Sequence, residues 1–165
     1  GVSFTPSGYI FTPDACCNVG SLIPQTMHDG LVEVTMRQQV NFDLNDAGIL
    51  FRANSGSNTA LAFTITPNGE WHLDLRPRQG DGPDSDYRSL RYEGLFGGIA
   101  AIHRGLGATN RLAVLMQGSS LTFFVNGQYI GRYVGNDVPQ SGQVGVFVGS
   151  ANGLITFSDL LISPA

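Results

Sequence analysis

Three side chains that could take part in acid–base chemistry alternate in the segment Glu70-Trp-His-Leu-Asp74. Successive side chains of a β-strand point to opposite faces, so Glu70, His72 and Asp74 are predicted to share one face of a strand. Two carboxylates with different pKa values are the groups that hydrolyse glycosidic bonds, which makes Glu70 and Asp74 the candidate catalytic residues. On a regular strand they lie ~13 Å apart, whereas retaining and inverting mechanisms use ~5–9.5 Å. A solvent-facing polar row is therefore the favoured interpretation.

A second kind of chemistry is indicated by the arginines and aromatic residues between positions 72 and 92. Planar guanidinium groups can hold hydroxyl or acidic groups through paired hydrogen bonds, and aromatic rings supply stacking faces. This combination is typical of sugar binding. The predicted ligand-binding residues are His72, Arg76, Arg78, Tyr87, Arg88 and Tyr92, and Arg91 belongs to the same group. The alternative is that Trp71 is a core residue and that Tyr92 covers a sheet edge.

Clusters of side-chain oxygens suggest calcium as a possible structural ion. Asp81, Asp84 and Asp86 lie in the polar stretch 77–89, and a loop of that length is usually functional or mobile. The segment 41–46 (Asn41, Asp43, Asn45, Asp46) also offers alternating oxygens, and Asp159 is a third candidate. None of them matches an EF-hand, and Asp, Asn and Gly are also the ordinary residues of turns.

The two cysteines are adjacent, Cys16-Cys17, so they cannot link distant strands. They could form a strained vicinal disulfide or remain two thiols. Signature motifs of nucleophilic catalysis, phosphate loops and dinucleotide binding are absent, and the three histidines have no metal-ligand spacing.

Composition limits the class of protein. The 165 residues suit one domain over 1–165, and 22 glycines with only 13% charged residues suit an all-β chain whose turns use the glycines. A net charge of −4 argues against nucleic-acid binding, and no apolar run reaches the ~18–20 residues of a membrane span. All nine cations are arginines. The predicted location is extracellular or at the cell surface, as an excised domain or a mature secreted chain.

Strand patterns recur along the chain, and no window shows a helical period. The best hairpin signal is Asn126-Gly127 between two β-rich runs, because both residues tolerate the positive φ of a type I′ turn. The predicted strands cover 8–12, 31–41, 47–53, 59–66, 70–76, 111–117, 121–125, 128–134, 142–148 and 154–162.

Several of these blocks resemble one family in order and content. Asp46-Ala-Gly-Ile-Leu-Phe-Arg-Ala-Asn54, Gly69-Glu-Trp-His-Leu73, Leu121-Thr-Phe-Phe-Val-Asn-Gly127, Gly142-Gln-Val-Gly-Val-Phe147 and Phe157-Ser-Asp-Leu-Leu-Ile162 are similar to bacterial laminin-G-like, concanavalin A-like lectin and glucanase domains. The resemblance implies a jelly-roll β-sandwich of two antiparallel sheets. Glucanases of this fold carry Glu-x-Asp-x-Glu on a strand, a pattern that His72 and Asp74 break here.

The function expected from these observations is a non-catalytic extracytoplasmic recognition module for carbohydrate. A structural, interaction or sensor domain with a protein ligand is the first alternative, and a glycoside hydrolase using Glu70 and Asp74 is the second. The ligand and the oligomeric state do not follow from the sequence.

Overall fold

The computed structural model describes residues 2–5, 8–11, 19–39, 46–77, 87–95, 97–149 and 154–165. Over these ranges the chain forms thirteen strands and no helix. In chain order they are β1 (Val2–Thr5), β2 (Gly8–Phe11), β3 (Val19–Met27), β4 (Gly30–Gln38), β5 (Ala47–Asn54), β6 (Thr59–Ile65), β7 (Trp71–Pro77), β8 (Arg88–Glu93), β9 (Thr109–Gln117), β10 (Ser120–Val125), β11 (Gln128–Val134), β12 (Gly142–Val148) and β13 (Ile155–Pro164).

The strands form two antiparallel sheets that pack face to face. The seven-stranded sheet has the order β1-β2-β13-β4-β9-β10-β11, and the six-stranded sheet has the order β3-β12-β5-β6-β7-β8. Neighbours in each sheet are often far apart in the sequence, such as β13 with β4 and β12 with β5. The predicted all-β sandwich is confirmed.

Alternation of apolar and polar residues places the core between the sheets. In β4 the buried apolar side chains are Val32, Val34 and Met36, and Glu33 and Thr35 between them are partly exposed, as the pattern predicted. Phe123 of β10 crosses the interface, with ring centroids 5.0 Å from Phe63 and 5.3 Å from Trp71. Full burial of such side chains stabilises the fold by ~1.5–3 kcal/mol each. Trp71 is fully buried, which confirms its prediction as a core residue.

The Asn126-Gly127 turn connects β10 and β11, as predicted. Both residues have positive φ, 52° and 76°, as a type I′ turn requires. The Asn126 side chain also accepts a hydrogen bond from the Arg111 amide and donates to the carbonyl of Ala101, both at 2.8 Å. The turn therefore also holds the segment before β9 in place.

The sequence patterns missed three strands, β1, β3 and β8, and all three are sheet edges. An edge strand has one open side, so it needs less apolar alternation and tolerates proline. β3 contains Pro24 beside a register shift, and β8 begins at Arg88, inside the predicted polar loop 77–89. The cysteine pair and the segment 40–45 lie outside the described residues.

One buried arginine connects the two sheets at an end of the sandwich. Arg52 has a φ of 49° at a register shift in β5, and its side chain is fully buried. Its guanidinium donates to the carbonyls of Pro139, His28 and Gly118, the last at 2.6 Å. Buried charge is tolerated only where hydrogen bonds satisfy it, so Arg52 serves the fold.

Candidate functional site

The polar row of β7 lies on the outer face of the six-stranded sheet, away from the core. Trp71 and Leu73 are buried in the main core and Leu75 packs against it, so His72, Asp74 and Arg76 take the opposite face. This confirms the predicted alternation.

Small residues form the middle of this outer face. Ala60 and Ala62 of β6 pack with Leu50 of β5 and Phe147 of β12 in a second, smaller apolar cluster. Gly48 of β5 lies between β6 and β12, and a Cβ there would come within 2.0 Å of the carbonyl oxygen of Phe63. Because these residues are small, long side chains from β7 have room to extend across β6. We call this area of small residues the floor of the outer face.

Arg76 extends across this floor from β7. Its guanidinium carbon lies 5.0 Å from the ring centroid of Tyr87 and 4.7 Å from that of Phe147, so the group sits against two aromatic rings. Nη2 donates to Asp74 Oδ2 at 3.0 Å and to Asp46 Oδ2 at 3.4 Å. Only 14% of the arginine side chain is exposed. The planar group is therefore fixed by both charge and stacking.

Asp46 reaches Arg76 from the start of β5. The hydroxyl of Thr64 donates to the same Oδ2 at 3.0 Å, and the Gly149 amide donates to the Asp46 carbonyl at 2.8 Å. In the structure Asp46 is a counter-ion of Arg76. The other candidate oxygen ligands of the segment 41–46 lie outside the described residues, so calcium binding there stays a prediction.

Asp74 is 1% exposed, so the interpretation of the whole row as solvent-facing is wrong for this residue. Its Oδ1 is buried and has no hydrogen-bond partner among the described residues. Burial raises the pKa of the Asp74 carboxyl, and the neighbouring Arg76 opposes that shift. Asp74 and Arg76 are two residues apart in β7, so their side chains lie next to each other on one face of the strand.

His72, Tyr92 and Glu70 form the other side of the cluster. The His72 and Tyr92 rings meet edge to face with centroids 4.6 Å apart, and the Tyr92 hydroxyl donates to Glu70 Oε1 at 2.9 Å. Burial and this hydrogen bond raise the pKa of the Tyr92 phenol, so it stays a donor. His72 Nε2 is buried without a partner among the described residues. Tyr92 is 38% exposed and Tyr87 is 45% exposed, so both rings face solvent.

We call the group Asp46, Thr64, Glu70, His72, Asp74, Arg76, Tyr87, Tyr92 and Phe147 the polar cluster. It brings together four of the six predicted ligand-binding residues and both candidate catalytic carboxylates. Sequence reasoning missed Thr64, Phe147 and the pairing of Asp46 with Arg76. Phe147 lies between Val146 and Val148 in β12, and both valines belong to the core. The alternation of side chains along a strand therefore indicates that the Phe147 ring faces outwards.

Two of the arginines expected near the ligand, Arg88 and Arg91, do not join the cluster. Arg88 pairs in register with the inward-facing Leu75, and its Nη2 donates at 2.7 Å to Asp137 in the loop after β11. A register shift between Leu73 and Asp74 turns Arg91 the same way, and its guanidinium lies 5.4 Å from the Trp71 ring. Arg78 and the proposed calcium ligands Asp81, Asp84 and Asp86 lie outside the described residues.

In the described part of the chain, no group of three His, Cys, Asp or Glu side chains is placed to hold a metal ion. Asp159 lies at a register shift in β13 with a φ of 52° and accepts a hydrogen bond from Ser158. The described residues also contain no helix long and apolar enough to cross a membrane.

Comparison with known proteins shows the fold. No protein-family model matches the chain, and no curated protein sequence does. Among solved structures, the chain is similar to the carbohydrate-binding module CBM66 from Bacillus subtilis, with 10% identity, 99% of this chain and 91% of that chain covered, and a TM-score of 0.77.

It is also similar to a Bacillus licheniformis β-glucanase (13% identity, 99% and 82% covered, TM-score 0.64) and to sheep galectin-11 in complex with glycerol (12% identity, 96% and 98% covered, TM-score 0.57). At such identities the likeness is one of fold alone. It confirms the jelly-roll sandwich of the concanavalin A-like type, while the laminin-G-like resemblance stays a prediction.

Proposed function

We propose that the chain is a non-catalytic recognition module that binds carbohydrate at the polar cluster. The observation that carries this proposal is the pair of exposed rings, Tyr87 and Tyr92, beside hydrogen-bonding groups that are already held in place. The stacked guanidinium of Arg76 is the most constrained of these groups.

The physical requirements of sugar recognition fit this arrangement. A pyranose or furanose ring presents apolar C–H patches and several hydroxyls that both donate and accept hydrogen bonds. Tyr87 and Tyr92 offer flat, amphipathic surfaces for the patches. Glu70 accepts hydrogen bonds, and His72 can donate or accept them. Groups that are fixed before binding lose little conformational entropy when the ligand arrives.

The named relatives in fold support this proposal at the level of chemical class. One of the similar structures is named as a carbohydrate-binding module and another as a galectin, whereas a third is a β-glucanase. The role we propose is extracytoplasmic, at the cell surface or outside the cell. Localisation of the tagged full-length protein tests that part separately.

Binding to a glycan array, followed by calorimetry with the strongest ligand, tests the proposal. We expect Tyr87→Ala and Tyr92→Ala each to weaken binding about tenfold, since aromatic contacts are worth about 1 kcal/mol or more. The matched control is Tyr129→Ala, which removes a tyrosine of the seven-stranded sheet that is 63% exposed. Equal loss in the control, or no binding by the wild type, contradicts the proposal.

A glycoside hydrolase remains the second candidate because burial raises the pKa of Asp74, the direction that a general acid needs. Its partner would be Glu70, four residues away on the same face. Release of reducing ends from a broad polysaccharide panel tests this candidate, with Glu70→Gln and Asp74→Asn as the variants. It fails if the wild type releases none.

The molecular mass in solution distinguishes an interaction or sensor domain from a carbohydrate-binding module. A discrete oligomer in size-exclusion chromatography with light scattering, combined with no response on the array, would favour that alternative over carbohydrate recognition.

A further inference from the structure

The balance of charge in the polar cluster bears on which glycans it accepts, and this inference rests on the proposed function. Two carboxylates, those of Asp46 and Asp74, contact the one guanidinium of the cluster, that of Arg76, and a third carboxylate, that of Glu70, lies at the other side of the cluster beside Tyr92. Two of them already contact the arginine through the same Nη2 atom. The cluster therefore carries more negative than positive formal charge.

The other arginines of the six-stranded sheet do not change this balance. Arg88 bonds Asp137 and Arg91 bonds Glu93, and both point away from the outer face. Arg52 is fully buried at the end of the sandwich, 3.8 Å from Asp29. Arg76 is the one arginine among the described residues whose side chain joins the cluster.

An anionic group placed here would meet like charges in a partly desolvated site. Like-charge contacts at an interface cost several kcal/mol and suppress wrong partners. A neutral sugar would meet no such penalty, because its hydroxyls can donate to Glu70 or to the Tyr92 oxygen, whose own proton goes to Glu70, and can accept from His72. We propose that the polar cluster selects uncharged glycans and rejects those that carry carboxylate or sulfate groups, with Asp46 and Asp74 as the specificity-determining residues.

The burial of Asp74 supports this assignment. A buried carboxylate whose second oxygen has no partner among the described residues is expensive to keep, and an apolar residue often packs better in its place. Stacking between Tyr87 and Phe147 already orients the Arg76 plane. The two aspartates contribute something different, because they neutralise the charge of Arg76. The sequence-based expectation that arginines here bind acidic sugar groups therefore does not extend to Arg76.

Matched ligands and matched variants test the proposal. The probes are a neutral polysaccharide that the wild type binds and its carboxymethylated and sulfated derivatives, compared by calorimetry at 0.15 M salt, where the Debye length is ~8 Å. The test variant Asp46→Asn/Asp74→Asn changes the net charge from −4 to −2. The control Glu33→Gln/Asp137→Asn makes the same change away from the cluster, at partners of Arg111 and Arg88.

We expect the ratio of anionic to neutral affinity to rise about tenfold or more in the test variant and to stay near the wild-type ratio in the control. Adding Arg76→Gln to the test variant should abolish the rise. If the double variant does not fold, Asp46→Asn alone, at a side chain only 14% exposed, should give a smaller rise in the same direction.

The proposal is overturned if the wild type binds the charged derivatives as well as the neutral parent, or if the control shows the same rise. Failure of the proposed function looks different, because the wild type then binds no glycan on the array, and the present inference falls with it.

Discussion

Arg76 and Asp46 form an ion pair of 3.4 Å although β6 separates the strands that carry them. The contact is possible because the intervening side chains are small, with Ala60 and Ala62 lying under the arginine's path. A structural requirement for small residues in one strand thus determines which charges meet on the outer face.

Removing Arg76 should destabilise the fold more than removing an exposed arginine does. We expect Arg76→Gln to lower the free energy of unfolding by about 2–4 kcal/mol, because it leaves Asp46 and Asp74 buried without their counter-charge. Urea denaturation measures the change. The control is Arg88→Gln, whose pair with Asp137 is about half exposed and should matter little. Equal effects of the two substitutions would contradict the interpretation of Arg76 as a buried, paired charge.

Asp74 should make stability depend on pH in a direction opposite to most carboxylates. Folding raises its pKa above the ordinary 3.8, so the folded chain binds the proton more tightly than the unfolded chain does. The free energy of unfolding contributed by Asp74 therefore decreases as the pH rises from 3.8 through the raised value, and the loss is complete above it.

Denaturation of Asp74→Asn and wild type across this pH window checks the sign. The stability of the variant relative to the wild type should increase as the pH rises. Hydrogen bonds lower the pKa values of Asp29 and Asp137, so the stabilisation that these two residues contribute is lost at acid pH. This loss is the same in both proteins and cancels in the difference between them. A difference that is flat with pH, or that decreases, would show that Asp74 does not carry the predicted shift.

Arg52 should be a stability residue without a role in binding. Its substitution by methionine removes three part-buried hydrogen bonds to carbonyls of separate loops and leaves those acceptors without the guanidinium. We expect a loss of about 3 kcal/mol in unfolding free energy. Glycan affinity measured well below the melting temperature should stay unchanged. Arg132→Gln, at an exposed position of β11, is the control for stability.

The floor of the outer face should not tolerate a methyl group at Gly48. Alanine there places a Cβ 2.0 Å from the Phe63 carbonyl oxygen, so β5 and β6 must shift apart. We expect a loss of about 2 kcal/mol or more, together with weaker binding. Gly97→Ala is the matched control, since nothing lies within 4 Å of a Cβ at that position. Tolerance of Gly48→Ala would mean that the two strands are less closely held than described.

Local patterns in the sequence were sufficient for much of the fold and for part of the cluster. The alternation in β7 placed Trp71 in the core and His72, Asp74 and Arg76 on the opposite face. The Asn126-Gly127 pair identified its turn from backbone preference alone. These features depend on neighbours two residues apart, so they can be read without knowing how the chain folds.

Tertiary structure alone decided which groups Arg76 meets and which arginines stay away. Asp46 and Phe147 reach it from β5 and β12 because long-range pairing brings those strands beside β6. The edge strands β1, β3 and β8 carried too little apolar alternation to be recognised, and the register shift in β8 that turns Arg88 and Arg91 aside has no local signature. The sequence by itself determined the two faces of each inner strand, since alternation is a local property. The composition of the polar cluster depends on strand order and register, which only the packing of the whole sandwich sets.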